Sequence, residues 1–185
     1  KASKHSQIFK YAFSKPLDPL RASEALKEKL SDGTAEEIKL LLEKGATFEF
    51  DDGTQRLPIL NVTNNKAHFN EIINLYLANG GDLNAKSVKG KTLFLSAQSV
   101  EQIDYLLLKG ANLNEADDDG MNLLLYHSQF GNNPDRFSLM KHLVSKGIDR
   151  NKRNSRGKTA YEIIKNDYCS GGSRKKECID FEYLK

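Results

Sequence analysis

The chain has 185 residues, of which 38% are hydrophobic and 29% are charged, and its formal net charge is +3. This composition can bury a core and leaves the surface well solvated, and so small a charge does not indicate a nucleic-acid-binding protein. No apolar run approaches the ~18 residues that a membrane-spanning helix requires. Length, composition and charge therefore leave a globular domain or a short repeat protein.

The N-terminal segment, residues 1–31, is predicted to cap the fold. Apolar and aromatic residues within residues 1–17 are typical of a short segment that packs on such a cap. The first helix start is Asp18-Pro19, with Asp18 as the N-cap and Pro19 at the first helical position. The helix is expected to end before Asp32.

One sequence phrase recurs four times: apolar residues, a two-residue gap, a glycine and a short polar run. Its glycines lie 35, 30 and 37 residues apart. The residues that open the apolar helix starts recur at the same intervals. A repeat of this length predicts stacked units that cannot bury their apolar faces alone. The glycines are Gly45, Gly80, Gly110 and Gly147, and the opening residues are Leu57, Thr92, Asn122 and Thr159.

The unit formed by residues 86–115 shows the predicted local structure best. Residues 86–91 are turn-like, and Thr92 can cap a short apolar helix. Apolar residues at helical spacing, among them Leu106, predict a second helix. Gly110 then ends this helix, because glycine readily takes the left-handed conformation of that position. The predicted unit is a turn, two helices and an extended return.

This pattern resembles the ankyrin repeat, whose usual wording is Gly-x-Thr-Pro-Leu-His-x-Ala at the start and Leu-Leu-x-x-Gly-Ala-x-x-Asn at the finish. The starts in this chain include Gly90-Lys91-Thr92-Leu93, Gly120-Met121-Asn122-Leu123 and Gly157-Lys158-Thr159-Ala160. A matching finish is Gly110-Ala111-Asn112-Leu113-Asn114. The chain departs from the family pattern because no repeat has the histidine of the motif.

The resemblance covers residues 32–167. It implies an all-α, ankyrin-like α-solenoid of stacked helix-turn-helix repeats with β-hairpin-like turns. A partial first repeat, three full repeats and an incomplete last repeat would fill these residues. The unequal steps predict a short third unit and an insertion in the fourth, near residues 131–135.

The C-terminal segment, residues 168–185, is predicted to cover the last open face of the stack. It holds Cys178, which with Cys169 flanks a polar loop that contains glycine. A disulfide between them would contribute roughly 2–3 kcal/mol and would indicate an oxidising compartment, whereas two unrelated thiols would fit a cytosolic protein. Because the chain begins at Lys1 and not at a methionine, either a leader has been removed or the sequence has been trimmed.

Patterns for other chemistry are weak. Residues 85–92 fit a loosened phosphate-loop pattern, but they lie at the turn of a repeat and not between a strand and a helix. Residues 117–120 lack the ligand spacing of a calcium loop and are predicted to form a polar turn. The four histidines show no metal spacing, and His127 is expected to be packed and hydrogen-bonded. We therefore expect no catalytic residue, no metal site and no cofactor.

The remaining candidate site is the row of turn tips, whose charges alternate in sign along the chain. Ankyrin-like stacks generally bind proteins on the concave face formed by these tips and the inner helices. Inter-repeat salt bridges are the simpler explanation of the charges, and core packing is the simpler explanation of Phe48, Tyr126 and Phe130. The candidate binding residues are Phe48, Phe50, Asp51, Val88, Lys89, Lys91, Asp118, Asp119, Met121, Tyr126, Phe130, Arg153 and Arg156.

The expected function is that of a non-catalytic module that binds a protein partner and is a monomer when free. A concrete version is an inhibitor or immunity-type protein that acts on a partner enzyme in the bacterial envelope, in a periplasmic or secreted setting. The alternatives are a cytosolic or host-directed scaffold or effector and, less favoured, a nucleotide-dependent regulator. Neither a nucleic-acid partner nor a membrane span is expected.

Overall fold

The structure is a computed structural model that describes residues 18–49, 57–129, 135–169 and 177–185, with the backbone alone for residues 167–169 and 177–180. Every regular element in these ranges is a helix, which confirms the all-α fold class. The chain divides into two compact units, Lys1–Asp82 and Leu83–Lys185. Over the same described ranges, none of the helices has the length and apolar character needed to cross a bilayer.

The described part of the first unit is built from short helices that pack on one another. They are α1 (Pro19–Lys29), α2 (Ala35–Glu43), a 3₁₀ helix (Pro58–Asn64) and α3 (Phe69–Ala78). α2 packs against α1 and α3, and the 3₁₀ helix packs against α1 and α3. The core between them consists of buried apolar side chains, which include Leu26, Leu30, Ile38, Leu41, Ile59, Ile72 and Ile73.

Side chains at the starts of α1 and α2 satisfy backbone N–H groups that have no partner within the helix. The Asp18 carboxylate accepts a hydrogen bond from the N–H of Leu20 at 3.5 Å, and Pro19 is the first helical residue. Thr34 and Glu37 form a capping box in which each side chain accepts from the other's N–H, at 3.2 and 3.0 Å. The predicted helix start at Asp18-Pro19 is therefore confirmed.

The described part of the second unit is also built from short helices. Its elements are a 3₁₀ helix (Phe94–Ser96), α4 (Val100–Leu108), α5 (Leu123–Gln129), α6 (Arg136–Ser145), α7 (Ala160–Cys169) and a second 3₁₀ helix (Glu177–Leu184). α5 lies at the centre, because it packs against α6, α7 and the first 3₁₀ helix. The last 3₁₀ helix packs on α6 and α7 and buries Phe181 and Leu184.

The short predicted helix after Thr92 is only a three-residue 3₁₀ turn. The chain becomes extended again at Ala97, and the Ser99 hydroxyl already accepts the N–H of Gln102 at the start of α4. The sequence predicts a turn at residues 99–101, whereas Val100 is the first residue of α4. The short step of 30 residues between Gly80 and Gly110 thus coincides with a helix of only three residues.

The four recurring glycines each end one of the helices α2, α3, α4 and α6, which we call the outer helices, in the same way. Their φ angles lie between 83° and 93°, which is the left-handed conformation that glycine tolerates best. At Gly110 the N–H donates to the Leu107 carbonyl at 3.0 Å, and the next N–H, that of Ala111, donates to the Leu106 carbonyl at 2.9 Å. This pair of bonds is a Schellman motif. The other three glycines form the same pair, so their predicted role in ending helices is confirmed.

The second Schellman motif, at Gly80, differs from the other three in its last hydrogen bond. The accepting carbonyl belongs to a tyrosine here and to a leucine in the others. The hydroxyl of this tyrosine, Tyr76, donates to the Asp82 carbonyl at 2.8 Å and accepts the Asp82 N–H at 3.0 Å, so the ring is fixed. A Cβ atom at residue 81 would collide with this ring, which explains why Gly81 stands where the other motifs have Ala46, Ala111 and Ile148. Tyr76 and Gly81 are therefore coupled.

Gly81→Ala should destabilise the first unit by about 2 kcal/mol, because the Tyr76 ring must move out of its hydrogen bonds. The same change in a Tyr76→Leu background should cost less than about 0.5 kcal/mol, since that pair reproduces the other motifs. Urea denaturation of the four variants, followed by circular dichroism, gives the coupling free energy. Equal costs in the two backgrounds would contradict the assignment.

His127 is buried on α5, as the sequence predicts, and its side chain is 8% exposed. Burial is the main cause that lowers the pKa of His127 to about 4, and the nearby Arg136 charge acts in the same direction. A hydrogen bond with the Ala97 backbone opposes this shift, while Nε2 has no hydrogen-bond partner in the described part of the chain. The imidazole is therefore neutral in the folded protein at neutral pH.

Acidification should weaken the second unit through His127. The imidazole of His127 takes up a proton near pH 6.5 in the unfolded state but only near pH 4 in the folded state. The contribution of His127 to the free energy of unfolding is therefore constant above pH 6.5 and falls by about 3 kcal/mol in total as the pH drops to 4. His127→Val is the control, because the equivalent positions Val62, Ala97 and Ile164 are apolar and buried. Denaturant midpoints of the two proteins should diverge below pH 6.5, and parallel pH curves would contradict the prediction.

Candidate protein-binding surface

Three turns of the second unit share one backbone geometry. We call them tip 1 (residues 87–91), tip 2 (residues 117–121) and tip 3 (residues 154–158). In each, the N–H of the first residue donates to the carbonyl of the fifth, at 3.0, 3.2 and 3.1 Å. The glycine at the fourth position donates back to the first carbonyl, at 2.8, 3.0 and 2.8 Å, with φ between 70° and 76°. Each tip is therefore a closed, hairpin-like turn.

The first side chain of tips 2 and 3 reinforces the turn. In tip 2, Asp117 Oδ1 accepts the N–H groups of Asp119 and Met121 at 3.0 and 2.8 Å. In tip 3, Asn154 Oδ1 accepts the N–H groups of residues 156 and 158, both at 3.0 Å. A carboxylate and a carboxamide thus hold the same backbone, because only the shared acceptor oxygen is needed.

Hydrogen bonds and an ion pair join neighbouring tips. The Asp118 N–H of tip 2 donates to the Lys89 carbonyl of tip 1 at 3.2 Å. Beside them, Lys86 Nζ lies 2.8 Å from a carboxylate oxygen of Glu115. The Asp118 side chain also lies against Gly90, where an added Cβ would collide with it and would stand 2.8 Å from its backbone nitrogen. Tips 1 and 2 therefore form one continuous edge.

A second set of contacts joins the segments that lead into tips 2 and 3. Asn114 Oδ1 accepts the N–H of Asp149 at 2.7 Å, and the Asn122 amide donates to the Asp149 carbonyl at 3.0 Å. The Asn122 oxygen also accepts the Leu125 N–H at 3.0 Å, which caps the start of α5. One asparagine thereby fixes the start of α5 relative to the backbone at Asp149.

Tyr126 connects α5 to tip 2. Its hydroxyl donates to Asp117 Oδ2 at 2.6 Å, so each carboxylate oxygen of Asp117 has a defined partner. Lys91 Nζ lies 5.1 Å from the centre of the Tyr126 ring, within the range of a cation–π contact. Burial and the Asp117 carboxylate raise the pKa of Tyr126, so the phenol stays protonated and donating. Burial lowers the pKa of Lys91, and Asp117 opposes that change.

A cleft of about 200 Å³ opens between tips 2 and 3. Met121 and Tyr126 give it apolar and aromatic surface, and side chains from both tips supply hydrogen-bonding groups. The complete lining is Asp117, Asp119, Met121, Tyr126, Gln129, Asn154, Ser155 and Arg156. Its charged members are two carboxylates and one guanidinium, so the lining carries a net negative charge.

Most of the predicted binding residues of the second unit lie on or beside the tips. Val88 is 56% exposed, and four predicted charged side chains of the tips are also exposed. Lys91 and Tyr126 are half-buried, and Met121 is buried except for the part that lines the cleft. Arg153 is exposed but donates to the Gly157 carbonyl at 2.7 Å and pairs with Glu162 at 3.1 Å. The predicted residues among these exposed charges are Lys89, Asp118, Asp119 and Arg156, and Lys158 of tip 3, which was not predicted, is exposed as well.

The predicted residues of the first unit and of the loops are placed differently. Phe48 lies in the core, where its ring meets Tyr76 edge to face at 5.2 Å, so it offers no surface to a partner. Its simpler explanation as a core residue is the one that the burial supports. Phe50, Asp51 and Phe130, with the side chains of Cys169 and Cys178, lie outside the described residues.

Four residues of the cleft, Asp117, Asn154, Ser155 and Gln129, were not among the sequence-predicted site residues. A signal existed for the first two, because an Asp or Asn stands three residues before the tip glycine in both tip 2 and tip 3. Ser155 and Gln129 carry no such signal, since their role depends on how α5 and tip 3 approach each other.

The segment with the loosened phosphate-loop pattern forms tip 1. The N–H groups of Ser87 and Gly90 already donate to carbonyls within the turn, so they are not available to cradle a phosphate. The described residues contain no group of three or more His, Cys, Asp or Glu side chains arranged to hold a metal ion.

Comparison with known proteins gives no family for this chain, since no protein-family model matches it and no curated protein matches it significantly. The function of this chain is therefore inferred from the local geometry of its tips and helix ends.

Gly90→Ala should destabilise the second unit by about 1 kcal/mol more than Gly157→Ala. Both glycines have φ of 70°, so both variants pay the same left-handed strain of roughly 1–2 kcal/mol, but only residue 90 lies against Asp118. A Cβ atom at residue 157 has no atom within 4 Å. Denaturant unfolding of the two variants measures the difference, and equal losses would argue against close contact between tips 1 and 2.

Proposed function

We propose that this chain is an ankyrin-like repeat protein that acts as a non-catalytic protein-binding module. The binding surface is formed by the three tips and by the inner helices that follow them, which are the 3₁₀ helix Phe94–Ser96, α5 and α7. The observation that carries the proposal is a row of geometrically equivalent tips whose exposed charges are not neutralised by ion pairs within the described chain.

The recurrence of two backbone motifs supports the ankyrin-like architecture. The Schellman glycines and the tip glycines recur in step through the second unit, with Gly110 and Gly147 following Gly90 and Gly120. The four together define a unit of turn, inner helix, outer helix and return, which is the unit that the ankyrin resemblance implies. A scaffold of this kind presents its turns on rigid helices, and rigid presentation favours binding because little entropy is lost.

The tips also suit a protein partner better than a small molecule. The cleft of about 200 Å³ is smaller than the usual pocket for a drug-sized ligand, which encloses about 300–1,000 Å³. Exposed Val88 and the half-buried Tyr126 offer apolar contacts amid charged groups. Interfaces combine such aromatic and apolar anchors with a polar rim.

Two settings for this function are distinguished by the state of the cysteines. The first is an inhibitor or immunity-type protein of the bacterial envelope, which requires the Cys169–Cys178 disulfide. The second is a cytosolic or host-directed scaffold, which requires free thiols. Mass spectrometry of unreduced, alkylated protein separates them, because two labelled cysteines would exclude the envelope form.

A nucleotide-dependent regulator is the remaining alternative and depends on the segment that forms tip 1. ATP would then raise the melting temperature of the wild-type protein, and Lys91→Ala would abolish the shift. An unchanged melting temperature in ATP removes this alternative.

The decisive experiment identifies a partner and places it on the tips. The purified chain serves as bait in an extract of its source organism, captured proteins are identified by mass spectrometry, and the affinity of the purified partner is measured by calorimetry. Arg156→Glu should weaken binding about tenfold or more, because a charge at the interface is reversed. Lys141→Glu makes the same charge change on α6 and should leave the affinity unchanged. Equal affinities of the two variants would overturn the proposal.

A further inference from the structure

The ion pairs of the second unit sort the tip charges into two groups. Lys86 pairs with Glu115, and Arg153 pairs with Glu162, so these four charges are satisfied within the chain. Five exposed side chains have no ion pair in the described part of the chain, namely Lys89 in tip 1, Asp118 and Asp119 in tip 2, and Arg156 and Lys158 in tip 3. The unpaired charges therefore run positive, negative, positive across the tips.

The two cleft carboxylates differ in what they can offer a partner. Asp117 already accepts two backbone N–H groups and the Tyr126 hydroxyl, so its oxygens are occupied. The Asp119 side chain is exposed and accepts no hydrogen bond from the described residues. Asp119 is thus the acceptor that remains free at the rim of the cleft.

The aromatic and apolar surface of the cleft suits the stem of a long basic side chain. Tyr126 and Met121 line it, and the Lys91 ammonium beside the Tyr126 ring shows that this phenol accepts a cation as a neighbour. A volume of about 200 Å³ holds one side chain and little more. Long basic side chains lay their methylene groups on such surfaces and keep the charged head at the rim.

We infer that the partner inserts one arginine or lysine side chain into this cleft, against Asp119 and Tyr126, from an extended segment that carries an acidic residue on each side. The flanking acids meet Lys89 on one side and Arg156 on the other. This inference rests on the proposed function and names the chemistry of its partner. The net negative lining favours a cation over an anion in the cleft, and the flanking acids offset the charge of Arg156.

Geometry sets the spacing of the partner's charges. Tips 1 and 2 meet through the 3.2 Å backbone hydrogen bond between Asp118 and Lys89, and for the charged ends of their outward side chains we use the spacing of packed helices, about 8–10 Å. An extended chain advances about 3.3 Å per residue, and three residues therefore span one step. The matching probe is acetyl-Glu-Ser-Ser-Arg-Ser-Ser-Glu-amide, and its charge-inverted control is acetyl-Lys-Ser-Ser-Glu-Ser-Ser-Lys-amide.

Titration of the ¹⁵N-labelled full chain with each peptide, followed by NMR, tests the inference. The arginine peptide should shift the amide signals of residues 117–121 and Tyr126 and bind about tenfold or more tightly than the inverted peptide at low salt. Asp119→Asn should weaken it about fivefold or more, whereas Glu43→Gln, which removes an exposed carboxylate in the first unit, should not. The spectrum of each free variant shows that it is folded.

Three results would overturn the inference: tighter or equal binding of the inverted peptide, shifts confined to residues outside the cleft, or no shift with either peptide. The captured partner separates this failure from failure of the proposed function. If Arg156→Glu weakens partner binding and Asp119→Asn does not, the tips bind a protein but the basic side chain does not enter the cleft. If neither variant weakens it, both proposals fail.

Discussion

The left-handed glycine that closes each outer helix is the constraint on which the rest of the structure depends. A helix ends with carbonyl groups that have no partner within it, and here two successive N–H groups turn back to satisfy them. Only a residue with positive φ allows that return without strain, so Gly45, Gly80, Gly110 and Gly147 fix where each helix stops and where the next segment begins. Tips 2 and 3 each come shortly after one of these endings along the chain, those at Gly110 and Gly147.

The closed tips add a second, more local constraint. Because hydrogen bonds hold each tip in one conformation, the spacing of the helices sets the spacing of the tip side chains. Each tip binds its own backbone, and tips 1 and 2 are also joined through Asp118 and Lys89. Tyr126 then ties the turn to α5 through Asp117, so the wall of the cleft is held by the core of the unit. Side chains at the outer positions of the tips make no such bonds and are free to face a partner.

Much of this organisation could be predicted from sequence because it depends on local rules. The helix-ending glycines and the N-cap at Asp18 each follow from a few adjacent residues, and the all-α class follows from the recurring helical pattern and the resemblance that it carries. Phe48 shows where such rules stop, since an aromatic residue after a helix suits a surface and a core equally until Tyr76 is seen beside it. The cleft was likewise not predicted, because Gln129 and Ser155 meet only through tertiary packing.

Asp117 of tip 2 and Asn154 of tip 3 occupy equivalent positions, and this equivalence has a consequence for the charge of the surface. Because one oxygen holds the turn in both cases, a single exchange between Asp and Asn at this position changes the charge of a tip and keeps the acceptor that holds its backbone. The electrostatic character of a tip can therefore be changed separately from its shape.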